Sequence, residues 1–259
     1  MGPDAPGRYS RAAHRALAQR AAGGPHDEDP ADPRTVQAMQ LVLHLPKTGH
    51  ATRAAYLASA ARAVAALCLD PRAAEDDSWR LALHDWYDHR IRKVARRARN
   101  KAWDVAQGLP GITISDGGEP PALVRAFLPG PVSEVPPELR KLQISGTDLP
   151  IEDGAAREHF SIEDGEVLVA IDASLGMSLG KAAAQAGHAS MLWAARRDES
   201  VVRPWAEQGC PLRAVEVGPE IFARWRRDPR AVLVRDAGFT EVAPGSVTAL
   251  ALDTLSPCD

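Results

Sequence analysis

Cysteine is scarce in this chain. Cys68, Cys210 and Cys258 are odd in number, far apart and form no C-x-x-C pair. That pattern argues for a reducing cytoplasm and against a structural zinc site. The eight histidines do not gather at metal-ligand spacings either, and His84 and His89, five apart, do not share a helical face. No metal or cofactor is therefore expected. No apolar run approaches the ~20 residues that cross a bilayer, so no membrane partner is expected. The opening MGPDAPGRYSRAAHR lacks the apolar stretch of a signal peptide, which argues against secretion.

What is present is ordinary globular material. The 259 residues are 45% hydrophobic and 25% charged, enough for one large domain or two small ones with a sizeable core. The net charge of −3 is unevenly spread. Residues 1–150 hold 20 Lys and Arg against 17 Asp and Glu, while residues 151–259 hold 11 against 17. A polyanionic partner should favour the first part of the chain.

Along the chain, residues 1–34 are rich in Gly, Pro, Asp and Ala and read as a mobile leader, with a short helix over 10–22. Residues 35–150 read as an accessory α/β domain. MQLVLHL (39–45) is a strand and AAYLASAARAVAALCL (54–69) a helix stopped by Asp70-Pro71. A long helix is expected from Trp79 to about Gln107, followed by strands ITIS (112–115) and LVRAFL (123–128) and a short helix in PPELRKL (136–142). Residues 151–166 read as a linker. The last domain, 167–259, runs strand VLVAID, helix 181–196, a shorter helix VVRPWAEQG, strand LRAVEV, helix PEIFARWRRD, and strands AVLVRDAG and VTALALD. Strands alternating with helices and closing on a hairpin predict a three-layer α/β/α domain with a four-stranded mixed sheet. The first unit opens in the same order. That points to a degenerate internal repeat, or to no more than the usual opening of any α/β unit.

The stretch GMSLGKAAAQAGHA (176–189) follows the buried strand VLVAID and admits three chemical readings. Gly176-Met177-Ser178-Leu179-Gly180 spells the G-x-S-x-G elbow of serine hydrolases. After Ser178, however, the only histidine is His188, ten residues on, and no carboxylate lies between them. A Walker loop needs a glycine where Leu175 stands and a hydroxyl where Ala182 stands, so that reading is rejected. In the third reading, Lys181, Gln185 and His188 fall at i, i+4 and i+7 on one face of a helix. Alanines 182, 183 and 186 lie opposite. An ammonium beside a helix N-terminus suits an anion, or a carbonyl oxygen becoming one. The bland alternative is a polar stripe facing water.

Two segments together decide between them. GK-x-AAQ-x-x-HA and DAG-x-T-x-x-APGS-x-T, about 50 residues apart, resemble the archaeal/eukaryotic-type (type 2) peptidyl-tRNA hydrolases over roughly 167–255. The resemblance implies a metal-independent esterase that cleaves the bond joining a peptide to the terminal ribose of tRNA. Carried over, it places the active site at Lys181, Gln185, His188, Asp236, Thr240 and Thr248. Lys181 and the helix N-terminus would stabilise the oxyanion. Asp236 or His188 would activate water. The threonines would hold substrate or water. The chain departs from the family pattern in its loop, where K-M-G-K-G-K has become Gly176 to Lys181 with Lys181 alone retained. The family arginine is Phe239 here, and the glutamine after the threonine is Glu241.

These losses direct attention to HRIRKVARRARNKAW (89–103), with seven Lys and Arg between Arg90 and Lys101. As a helix it would carry an apolar stripe of Ile91, Val94, Ala95, Ala98 and Ala102. Arg92, Arg96 and Arg99 would line up at i, i+4, i+7 with Lys93 and Arg97 beside them, a face able to grip RNA phosphates. The alternative is a solvated helix balanced by Asp85 and Asp88. The family's pairing habit implies a homodimer or, with a decayed first unit, an internal pseudo-dimer. The remaining competitor to a hydrolase is a non-catalytic RNA- or protein-binding module on the same fold.

Overall fold

VLVAID and QLVLH are near-continuous apolar runs, as strands covered on both faces must be, and each becomes the central parallel strand of a sheet. The computed structural model describes residues 8–21, 28–116, 118–146, 149–151, 163–236 and 241–253. The first unit runs α1 (Arg11–Arg20), β1 (Gln37–His44), α2 (Arg53–Leu69), α3 (Arg72–Glu75), α4 (Asp77–Asp88) and β2 (Arg92–Ala98). It continues through α5 (Lys101–Ala106), β3 (Gly111–Asp116), β4 (Ala122–Phe127), β5 (Gly130–Pro131) and α6 (Pro137–Arg140). The second unit runs β6 (Val167–Asp172), α7 (Leu179–Ala195), α8 (Glu199–Glu207) and β7 (Leu212–Val217). It closes with α9 (Pro219–Trp225), β8 (Val232–Arg235) and β9 (Val247–Leu252).

The two sheets have one topology. In the first the order is β2-β1-β4-β3, with β1 parallel to β2 and the other two pairings antiparallel. In the second it is β7-β6-β9-β8, with the same directions in the same places. The expected four-stranded mixed sheet is present, and α7 and α9 cover its opposite faces. The first sheet is covered on its outer face by α5 and α6 through Trp103, Ala106 and Leu139. Its inner face shares one continuous core with the second sheet.

That shared core is built on α2 and α7. Each packs on its own sheet and also reaches the parallel edge strand of the other, α2 against β7 and α7 against β2. Small side chains allow the approach: Ala60, Ala61, Val64, Ala183, Ala186 and Ala189 are fully buried. A Cβ at Gly187 would lie 2.7 Å from Val64 Cγ2 and 3.3 Å from Val64 Cβ, so only glycine fits there. Ser190 Oγ donates to Ala61 O across the same seam at 2.7 Å. A buried ion pair adds direction. Arg53, the first residue of α2, donates to both Glu216 oxygens in β7 at 2.6 and 2.9 Å, and to Leu149 O and Met177 O.

Two sequence expectations change. Residues 79–107 are not one helix: α4 ends at Asp88, and 92–98 form β2, paired in parallel with β1 from Ala38↔Arg92 to His44↔Ala98. Apolar residues at 91, 94, 95 and 98 satisfy a helical period, but pairing beside a fully buried β1 overrides that local pattern. The basic helix therefore does not exist. The stretch read as a mobile leader contains α1, which is docked: Leu17 is fully buried and His14 Nε2 hydrogen-bonds Ala194 O at 2.8 Å. One core spans both units. Most of the expected linker, 152–162, lies outside the described residues.

Gly187→Leu is expected to destabilise the chain by about 1–3 kcal/mol through overpacking at the helix seam. Val64→Ala in the same chain should recover part of that loss. Urea unfolding of the single and double variants measures both, and equal midpoints for Gly187→Leu and wild type would remove the close contact from the account.

Candidate active site

The turn between β6 and α7 is shaped by two residues. Gly176 adopts φ +56°, a left-handed conformation that glycine takes without strain. Ser178 caps α7, its Oγ accepting from Lys181 N at 3.2 Å. The same hydroxyl donates to Glu241 Oε1 at 2.7 Å while Ser178 N donates to Glu241 Oε2 at 2.8 Å. The elbow serine is thus a helix cap. Glu241, the acidic replacement noted in the sequence, ties that cap to the β8–β9 connection and places a carboxylate at the positive end of the helix.

One turn into α7 the polar face converges on the end of β8. Lys181 Nζ forms an ion pair with Asp236 Oδ2, and both side chains are largely buried. Gln185 Nε2 donates to the same oxygen at 2.9 Å. Thr248 Oγ1 in β9 donates to Gln185 Oε1 at 2.7 Å, which fixes the amide orientation. Asp236 is itself positioned by backbone hydrogen bonds to Ser246 O at 2.9 Å and from Gly245 N at 2.7 Å. The structure therefore joins Lys181, Gln185, Asp236 and Thr248 in one hydrogen-bonded chain. His188 lines the same pocket, and Thr240 lies outside the described residues.

The pocket holds about 370 Å³, within the range of small-ligand sites. One wall is the second unit, with Ser178, Lys181, Gln185, His188, Asp236 and Glu241. The facing wall is the first unit, residues 90–95 at the start of β2 together with Ile144. Sequence reasoning missed this contribution, since nothing local reveals that β2 faces α7. Burial pushes His188 well below the usual histidine range, and the nearby cations Lys93, Lys181 and Arg196 push it further, so its ring is neutral at pH 7.

The five basic residues expected to form an RNA-gripping helix face have separate fates. Lys93 and Arg92 line the pocket, but Arg92 is ion-paired with Glu28. Arg96 is buried, donating to Gln40 Oε1 at 2.8 Å and to Leu142 O at 3.0 Å. Arg97 is held by Gln143. Arg99 follows the end of β2, away from the residues that line the pocket. Strand geometry, with side chains alternating between faces, divides what a helix would have gathered.

Among the described residues the like-folded first unit has no such cluster. Helices α2 and α7 have equal lengths of 17 residues, and Ala55, Ser59 and Arg62 stand at the positions of Lys181, Gln185 and His188. Asp116 at the end of β3 matches Asp236, and it pairs with Arg62 at 3.1 Å. Among the described residues no group of three His, Cys, Asp or Glu side chains gathers as a metal site, and no helix is long and apolar enough to cross a membrane.

The family model described as "Peptidyl-tRNA hydrolase PTH2" matches residues 166–256. A protein named "Peptidyl-tRNA hydrolase" from Halobacterium salinarum is 36% identical over 98 residues, 36% of this chain and 88% of the relative. The chain belongs to the PTH2 family. Relatives of the same name from Methanocaldococcus jannaschii (34% identical over 96 residues, 34% of this chain, 84% of the relative) and Methanothermobacter thermautotrophicus (34% over 91 residues, 33% and 81%) are similar in extent. These PTH2 relatives correspond in length to one unit of this chain. The family-model match falls on the unit that carries Lys181 and Asp236.

The depressed His188 pKa has a sign. Its folded value lies below the unfolded value near 6.5, so the unfolded chain takes the proton first. The folded state loses nothing from this group above about 6.5 and loses stability as pH falls below it, by at most ~1.4 kcal/mol per pH unit. His188→Gln should flatten that slope, measured by urea unfolding from about pH 7 to about pH 5. A ring titrating by NMR at or above 6.5 would contradict that lowering.

Proposed function

We propose that this protein hydrolyses the ester joining a peptide to the 3′-terminal ribose of tRNA, using its own side chains in place of a metal ion. Membership of the family and the names of the relatives indicate an aminoacyl-ester hydrolase. The observation that carries the reading is the chain Lys181–Asp236–Gln185–Thr248. It holds an ammonium at a helix N-terminus, beside a neutral imidazole, in one pocket. In that arrangement the Lys181 ammonium stabilises the oxyanion of the tetrahedral intermediate, while N–H groups at the start of α7 are taken up by the Ser178 cap and Glu241. Asp236 fixes Lys181 and Gln185 in place. The attacking water loses its proton to His188, which is neutral at working pH, or to Asp236. The leaving ribose oxygen takes a proton back as the acyl bond breaks, and Thr240 and Thr248 serve as hydrogen-bonding groups for substrate or water.

The retention of a single loop lysine, with Gly176 and Leu179 in place of the others, favours a second reading. In it the fold binds RNA or protein without cleaving it. The two part in one assay. Purified protein mixed with an acylated-peptide tRNA should release free tRNA, and a salt-sensitive mobility shift without release would favour the binding module. Lys181→Ala or Asp236→Ala is expected to lower cleavage about a hundredfold with the far-ultraviolet spectrum unchanged. Undiminished turnover in both would reject the assignment.

A further inference from the structure

Lys93 is a lysine of the first unit that faces the second unit's pocket. Its stem passes along α7, with Cδ 3.5 Å from where a Gly187 Cβ would stand. Its ammonium rests 3.3 Å from Met191 Sδ and 4.9 Å from the centre of the Trp86 ring. Neither neighbour is an anion. The titratable groups that interact with it are Cys68 on α2 and His188 on α7; Tyr87 on α4 interacts with Cys68, and Lys181 on α7 lines the same pocket. Burial pushes the Cys68 thiol up to about 11 and the Tyr87 phenol well above 10, so both are uncharged at neutral pH. The nearby carboxylates are committed elsewhere, Asp236 to Lys181, Glu241 to Ser178 and Glu28 to Arg92.

Lys93 is partly buried with no counter-charge among the described residues, an arrangement that is costly for an ammonium, and desolvation pushes it down to about 7. An anion entering the pocket would remove that cost. The pocket lining favours one: Arg90, Arg92, Lys93, Lys181 and Arg235 are cationic, against Asp236 and Glu241. We propose that Lys93 is the cation through which the first unit binds a substrate phosphodiester in the hydrolase pocket. The inference rests on the hydrolase reading for its substrate, and it names the group that replaces the missing loop lysines. It also gives the first unit a binding role in a site whose catalytic chain belongs wholly to the second.

The test separates binding from cleavage. A dinucleoside monophosphate, whose single phosphodiester does not titrate near neutrality, is the probe, with adenosine as the uncharged control. Isothermal titration of the full chain should show binding of the dinucleotide that Lys93→Met weakens by about ten- to hundredfold. Lys93→Arg should restore most of it, and adenosine should be indifferent to either change. Methionine suits the thioether and indole neighbours, and thermal melting shows whether the variant is folded. Because the bound phosphodiester favours the charged amine, wild-type affinity should fall between about pH 6 and about pH 8.5, and in Lys93→Met it should not. On peptidyl-tRNA the same variant should raise KM more than it lowers kcat. Dinucleotide binding that depends on Lys93 without any tRNA cleavage would reject the hydrolase and keep this inference. Cleavage with equal dinucleotide affinity in wild type and Lys93→Met, or no dinucleotide binding by wild type, would overturn it.

Discussion

The seam between α2 and α7 is the contact on which the molecule depends. Each helix is the crossover of its own parallel pair, and each lies against the other unit's edge strand. The close approach needs glycine at 187 and alanine or serine around it, and it sets the distance from β2 to the polar face of α7. The pocket is the gap left at one end of that seam. Loosening the helices would separate Lys93 from His188 before it disturbed Lys181 and Asp236, which are both held within the second unit.

Symmetry of fold and asymmetry of chemistry coexist here. Both sheets have the same order and directions, and both crossover helices have the same length. At the matching place in the first unit, an arginine–aspartate pair and a serine hydroxyl bonded to Ala122 O occupy the space. The buried Arg53–Glu216 pair likewise has no mirror image, since Leu179 and Arg97 stand at the corresponding positions. Removing one partner of such a pair is far more damaging than replacing both.

Much of the second unit was legible from its residues. Strands β6 and β7 match the expected segments 167–172 and 212–217 end to end, β6 as an apolar run covered on both faces and β7 as an alternating edge strand. Polar spacing puts Lys181, Gln185 and His188 on one face of α7, and all three line the pocket. The segment 89–103 was misread because its apolar spacing fits a helix, while the deciding force, pairing with β1, lies fifty residues away in sequence. The capping role of Glu241 and the arrival of Lys93 at the pocket were invisible for the same reason. Both depend on contacts made across the fold, and one chain offers no local trace of them.

Joining two like-folded halves in one polypeptide changes what selection can act on. Halves on separate chains must find each other, and any alteration appears twice; tethered halves meet at an effective concentration set by the connecting segment, whatever the dilution. Dilution should therefore leave the Arg53–Glu216 contact intact, and each half is free to drift independently. One can keep the reactive groups while the other becomes a dedicated wall.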